Sequence, residues 1–209
     1  MDRYPDCAAP HCGRPAVGFS RYCNKHRGRA HRTGNPHGRI LKTRLDLGEA
    51  FKLTDDALAR YADHPAVIAA INWCDKVLSE AQTVRGNLGK ELRRLYRDGA
   101  TGKAMLRRIL AVFCYAHFQQ RNWTNDLLTV VNVGHHALLT TRLPRKRSAR
   151  SGKLIATQFS GQAALEFGRA IREVLGMFCA RFCERIERDL YAVEDAREAI
   201  NAKLYENPL

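Results

Sequence analysis

The stretch Cys7-Ala8-Ala9-Pro10-His11-Cys12, followed ten residues later by Cys23-Asn24-Lys25-His26, reads C-x4-C-x10-C-x2-H and decides how the N-terminal part of the chain folds. Three thiolates and an imidazole are the donor set that closes a tetrahedral structural zinc site and leaves no position for water. The residues around them offer only Val17, Phe19 and Tyr22 as bulky apolar groups. Too little surface can be buried there to offset chain entropy, and segments of this size hold together through a metal or disulfides. A metal site absent from the unfolded chain contributes its binding energy, on the order of 10–16 kcal/mol, directly to folding. Gly13, Pro15, Gly18 and Ser20 lie between the ligand pairs and let a short ribbon double back, and Cys23-x2-His26 suits the first turn of a short helix. Cys7, Cys12, Cys23 and His26 are therefore the expected ligands of a structural Zn2+, with His11, His31 or His37 as alternatives for the fourth position. A disulfide is the rival account; it leaves one of the three cysteines over and needs an oxidising compartment. The start of the chain lacks the pattern of a secretory signal, so a reducing, cytoplasmic setting is expected.

Taken with Arg29, Gly34 and Pro36, the pattern C-x4-C, C-x2-H-x2-R and G-x-P resembles the small zinc-binding module of phage and mobile-element proteins that often accompanies HNH-type endonucleases. The resemblance implies a metal-stabilised nucleic-acid contact beside some other domain. It does not extend to nuclease chemistry, because His135-His136 runs on into Ala137-Leu138-Leu139 and the acidic and amide partners of an HNH core have no counterpart.

Of the net charge of +14, nearly all falls in two blocks. Residues 1–48 hold ten Lys or Arg against three Asp, and residues 142–153 hold six cations against no acid, whereas 49–141 and 154–209 come close to balance. Cations concentrated on an otherwise balanced body are the footprint of a phosphate-backbone binder. Arg27, Arg29, Arg32, Arg39 and Lys42 in the first block, with Arg145, Lys146, Arg147, Arg150 and Lys153 in the second, are the expected nucleic-acid contacts. Arginine forks suit phosphate oxygens and guanine edges. Duplex DNA is favoured over RNA because exposed aromatics for base stacking are few. Residues 142–153 show no hydrophobic period and are expected to form a polar loop that orders on a polyanion.

The rest of the chain reads as helices, and the fold class expected is mainly α: a zinc-binding ribbon and helix over 1–39, a linker over 40–53, and an elongated helical bundle over 54–209. Leu41, Leu45, Leu47 and Phe51 are expected to dock the linker onto the bundle. Thr54-Asp55-Asp56 reads as an N-cap with an acidic first turn, opening a short helix that ends at His64-Pro65. Val67, Ile71, Cys74, Leu78, Ala81, Leu88, Leu92 and Leu95 predict one helix of about thirty residues from Pro65, with Gly86 and Gly89 marking a kink or a close helix approach. Thr101 opens a third helix with Arg107 and Arg108 on its polar side; 127–139 is a strongly apolar helix; Ser160 caps a last helix of about thirty residues. Cys74, Cys114, Cys179 and Cys183 fall on apolar faces, as reduced core thiols do. His117, His135 and His136 read as buried, hydrogen-bonded histidines. The two long seams suit a homodimer or a protein partner.

No continuous apolar run is long enough for a transmembrane helix, so no membrane is expected. Phosphate-cradling, zinc-protease and nucleophile-elbow motifs are absent from the sequence, and its carboxylates alternate with cations on helix exteriors. The expected function is thus non-enzymatic nucleic-acid binding in a regulatory or accessory role. A protein-directed inhibitor or adaptor acting on a nucleoprotein machine is the alternative, followed by a nuclease.

Overall fold

A computed structural model describes residues 5–9, 12–17, 20–33, 40–119, 127–141, 143, 145–147, 154–156 and 160–206; within these, only the backbone is described for 31–33, 127–128, 145–147, 154–156, 196–197 and 199–206. The protein is mainly helical. Its elements run α1 (Asn24–Thr33), α2 (Gly48–Arg60), α3 (Pro65–Ser79), a 3-10 turn (Glu80–Gln82), α4 (Gly86–Arg97), α5 (Gly102–Gln119), α6 (Leu127–Leu138), β1 (Arg145–Arg147), β2 (Leu154–Ala156) and α7 (Gly161–Glu206).

Local sequence explains the helix starts. His64 Nδ1 accepts the Ala66 N–H at 3.2 Å with Pro65 in the first helical position, and Thr101 Oγ1 accepts from Ala104 at 3.2 Å. Ser160 Oγ accepts the Ala163 N–H at 3.1 Å. α5 is the centre of the bundle: it packs against α2, α3, α6 and α7, and Met105, Leu106, Ile109 and Leu110 are fully enclosed. α6 is buried on most sides, from Val130 to Leu138, and packs most extensively on α7. Two glycines make that approach feasible. A Cβ on Gly134 would lie 1.9 Å from the Ala164 carbonyl oxygen, and one on Gly168 would lie 1.9 Å from that of Val130.

The single helix expected from Pro65 is two helices. α3 ends at Ser79 and α4 starts at Gly86, whose φ of 72° lies in the left-handed region that only glycine adopts at low cost. Arg93 fastens the turn by donating from Nη1 to the carbonyl of Val84 at 2.9 Å. The apolar seam survives the break because Ala81, Leu92 and Leu95 still reach the core.

The boundary near residue 54 also moves. α2 begins at Gly48, Leu47 and Phe51 are core residues, and Thr54 is buried in mid-helix, where its hydroxyl donates to the Ala50 carbonyl at 2.7 Å. Leu45, expected to dock, is 76% exposed. Arg107 is not simply on a polar side: it pairs with Asp55 of α2 and lies 4.4 Å from the centre of the Phe51 ring. Residues 145–147 are not loop. They pair antiparallel with 154–156, Lys146 opposite Ile155, so Arg145, Lys146 and Arg147 of the second basic block form a strand between α6 and α7. α7 is 46 residues long, well beyond the expected thirty, and its final turns follow Val193 without a break.

All four core cysteines are buried free thiols. Cys114 and Cys183 lie 3.5 Å apart, and burial pushes the Cys74 thiol up to about 12. Among the described residues, no helix is long and apolar enough to cross a membrane.

Candidate metal centre and basic surface

The N-terminal ribbon doubles back as the turn formers dictate. Cys7 N–H donates to the Arg14 carbonyl at 2.9 Å, Ala16 N–H to Pro5 at 2.8 Å, and Ala8 N–H to Arg21 at 2.8 Å. Asp6 and Pro15 form the one-residue bridge between the two arms. Cys23 then stands at the threshold of α1, its carbonyl accepting the Arg27 N–H at 2.8 Å, so Cys23 and His26 face the ribbon from one helical turn.

The four expected ligands converge. His26 Nδ1 lies 3.4 Å from Cys7 Sγ and 3.5 Å from Cys23 Sγ, and Cys12 Sγ lies 3.9 Å from Cys23 Sγ. All four donor atoms fall within 4.8 Å of one another. Donors at tetrahedral zinc distances stand roughly 3.8 Å apart for two sulfurs and roughly 3.5 Å apart for a sulfur and a nitrogen. The observed spacings match both. Cys7, Cys23 and His26 are buried and Cys12 is half-buried. The small core beneath them consists of the cysteines themselves with Ala9 and Tyr22, so little apolar surface holds this segment without an ion.

The thiols of the cluster differ in their surroundings. The backbone N–H of His26, foremost, holds the Cys23 thiol below its ordinary range, with the Lys25 N–H adding to it at the helix start. At Cys12 the Arg14 N–H lowers the pKa, but desolvation and the thiols of Cys7 and Cys23 outweigh it and leave it raised. Three sulfurs this close ionise together only around a cation. Of the alternative ligands, His11 and His37, and the side chain of His31, lie outside the described residues. Among the described residues, no other set of three His, Cys, Asp or Glu side chains has metal-holding spacing.

α1 packs on α6 and α7, so the metal-binding segment is seated on the bundle. Its exit is held by a clasp that the sequence did not reveal. Asn132 Oδ1 accepts the Leu41 N–H at 2.8 Å, and His136 Nε2 donates to the Leu41 carbonyl at 3.0 Å. Asn132 and His136 are one turn apart on α6, so a single helix face grips both polar groups of one peptide residue. Their partner lies 91 and 95 residues away in the sequence. Burial, foremost, pushes His136 down to about 4, with Arg108 adding to the effect, and burial likewise takes His135 to about 4.

The cationic residues distribute as follows. Arg27 is exposed on α1, Arg29 is half-buried with an interaction of its own, and Lys42 is exposed beside Asp46, whose carboxylate accepts the Lys42 N–H at 2.6 Å. Arg145, Lys146 and Arg147 form β1. The side chain of Arg32, and Arg39, Arg150 and Lys153 entirely, lie outside the described residues. Leu41 is bound through Asn132 and His136 to α6, the helix that precedes β1 in the chain. Comparison with protein-family models, curated proteins and solved structures finds no match to this chain. Chemistry and geometry therefore carry the assignment.

One further cation was not expected to be structural. Arg94 is 7% exposed, and its guanidinium donates to the Leu138 carbonyl and the Thr141 hydroxyl, both at 2.7 Å, and to Glu91 at 2.9 Å. It caps the C-terminus of α6. His117, half-buried on α5, shares a 3.0 Å hydrogen bond with Glu187 of α7.

Proposed function

We propose that Cys7, Cys12, Cys23 and His26 hold a structural Zn2+, and that the protein is a non-enzymatic nucleic-acid-binding protein, duplex DNA being the preferred polyanion. The observation that carries the reading is the clasp on Leu41. It ties Leu41, the neighbour of Lys42, to Asn132 and His136 of α6, the helix that precedes the basic strand β1 in the chain, which supports a common face for the two blocks. Zinc in this reading is a folding device: it fixes the ribbon on α1, so that Arg27 is presented on a rigid base. Four protein ligands leave it no open position for a substrate. The arginines contribute by neutralising phosphates and releasing counterions, a term that is large and independent of sequence. The resemblance of C-x4-C, C-x2-H-x2-R and G-x-P to the zinc modules of phage and mobile-element proteins supports a regulatory or accessory role on DNA. Seven cysteines with no disulfide among them support work in a reducing compartment, which the cytoplasm supplies.

Two measurements test this together. Elemental analysis of the purified chain should return one zinc per molecule, and Cys23→Ser should release it while the helical circular dichroism of the bundle persists. Filter binding to duplex DNA should weaken by about 10³-fold or more between 50 and 200 mM salt if six or more phosphates are engaged. A chain without tightly held metal overturns the first half. Absence of DNA binding at low salt overturns the second.

A further inference from the structure

α7 is too long for the bundle it belongs to. Its 46 residues span about 69 Å, while α5, the next longest helix at 18 residues, spans about 27 Å. Up to Ile186 its side chains enter the core at helical intervals; from Leu190 onward every described side chain is exposed. Leu190, Tyr191 and Val193 present 41%, 58% and 61% of their surface to solvent. A lone helical segment of this size is marginal in water and depends on a surface to lie against.

The same helix carries a surface that fits. Val174 and Met177 are exposed, and Met177, Phe178 and Phe182 with Tyr61 and Val67 line a groove of about 510 Å3 between α7 and the corner where α2 meets α3. Arg181 and Arg185 line that groove and give its edge a cationic character. Arg185 is committed to the Tyr61 ring and to Asp189; no ion pair ties exposed Arg181 to another described residue. The free end of α7 has the opposite character. Residues 190–206 contain four carboxylates against Arg197 and Lys203, and Glu194, Asp195 and Glu198 are exposed.

We propose that α7 is the dimerisation element of this protein and that the occupant of the groove is the free end of α7 from a second copy. A two-fold axis near residue 188 sets the helices antiparallel, with Arg181 of one copy opposite Asp195 of the other and Arg185 opposite Tyr191. The carboxylates of the free end then meet the cations beside the groove. The contact is made twice, as an isologous interface requires, which favours a second copy over a foreign acidic helix. A stable interface needs roughly 20–30 residues a side, and the groove together with the free turns supplies a surface of that order. The proposal rests on α7 alone and is independent of the zinc and nucleic-acid readings.

Sedimentation equilibrium of the full chain at about 50 µM should give twice the 23.6 kDa chain mass. Arg181→Glu should weaken the dimer by about tenfold or more, as should the paired change Glu194→Arg with Asp195→Arg, while the three combined should restore it. Met177→Glu, at an exposed position, should dissociate it with helical content unchanged. A wild-type monomer overturns the proposal and leaves the groove to an acidic peptide or a carboxylate amphiphile. A dimer indifferent to every one of these changes, or a combined variant weaker than its parents, overturns it equally.

Discussion

Arg94 shows how much a single side chain can organise. It sits between Leu92 and Leu95, both core residues, yet it is buried with them because Glu91, Thr141 and the Leu138 carbonyl meet its donors. Removing it would leave a partly buried carboxylate and an orphan carbonyl, so Arg94→Met should lower unfolding free energy by about 3 kcal/mol in urea titration. Arg94→Lys should recover only part of that, since an ammonium cannot reproduce the fork. His135 and His136 make a second case. Burial takes both down to about 4, below the ordinary 6.5 of the unfolded chain. Their neutral forms therefore favour the fold fully above pH 6.5. As pH falls from 6.5 towards 4 the unfolded chain binds protons first, and each site gives up at most about 3 kcal/mol. Unfolding titrations at pH 7.5 and 5 should show this loss, and His135→Gln should flatten the pH dependence relative to the wild type.

Among the elements, those that the sequence announces are the ones whose caps and periods lie within themselves. α5 behind Thr101, α6, and α7 behind Ser160 begin where their capping and apolar residues indicate. The Cys7–His26 site was legible for the same reason, since ligand spacing is a local property. What escaped was set by distant partners. The 3.5-residue seam runs through the α3–α4 break because both sides face one core, and only Gly86 and Gly89, the latter close against the Val84 carbonyl, hint at the turn. β1 is all cations and has no alternation to betray a strand; its pairing with Leu154–Ala156 creates it. α2 began six residues before its expected cap, because Leu47 and Phe51 gain more from burial than Thr54 does from capping. The crossing of α6 and α7 was also invisible, as it depends on glycines in two separate helices. Gly134→Ala or Gly168→Ala would drive a methyl to 1.9 Å from a carbonyl oxygen. Each should cost about 2–4 kcal/mol by thermal unfolding, whereas Gly176→Ala, whose Cβ meets only Arg172 Cγ at 3.5 Å, should be neutral or stabilising.

At the scale of the whole molecule, two marginal parts are joined to a self-sufficient one. The ribbon has only a small cluster around Cys7, Ala9 and Cys23, and the strands β1 and β2 share three paired residues, while the bundle has a continuous core from Leu47 to Ile186. If both basic blocks engage one duplex, their relative placement matters as well as their charge, because the second contact forms at an effective concentration fixed by the geometry of the first. The clasp on Leu41 separates the two effects. Asn132→Leu removes the acceptor for the Leu41 N–H without altering any charge. Were affinity a matter of net charge alone, DNA binding and its salt dependence would stay unchanged. With the strip and β1 sharing a duplex, the variant should bind about tenfold more weakly at 100 mM salt and show a shallower dependence on log salt, because fewer phosphates are engaged at once. Zinc content and helical circular dichroism, both unchanged, would exclude unfolding as the cause. Undiminished affinity in a clasp variant would mean that the two blocks act separately.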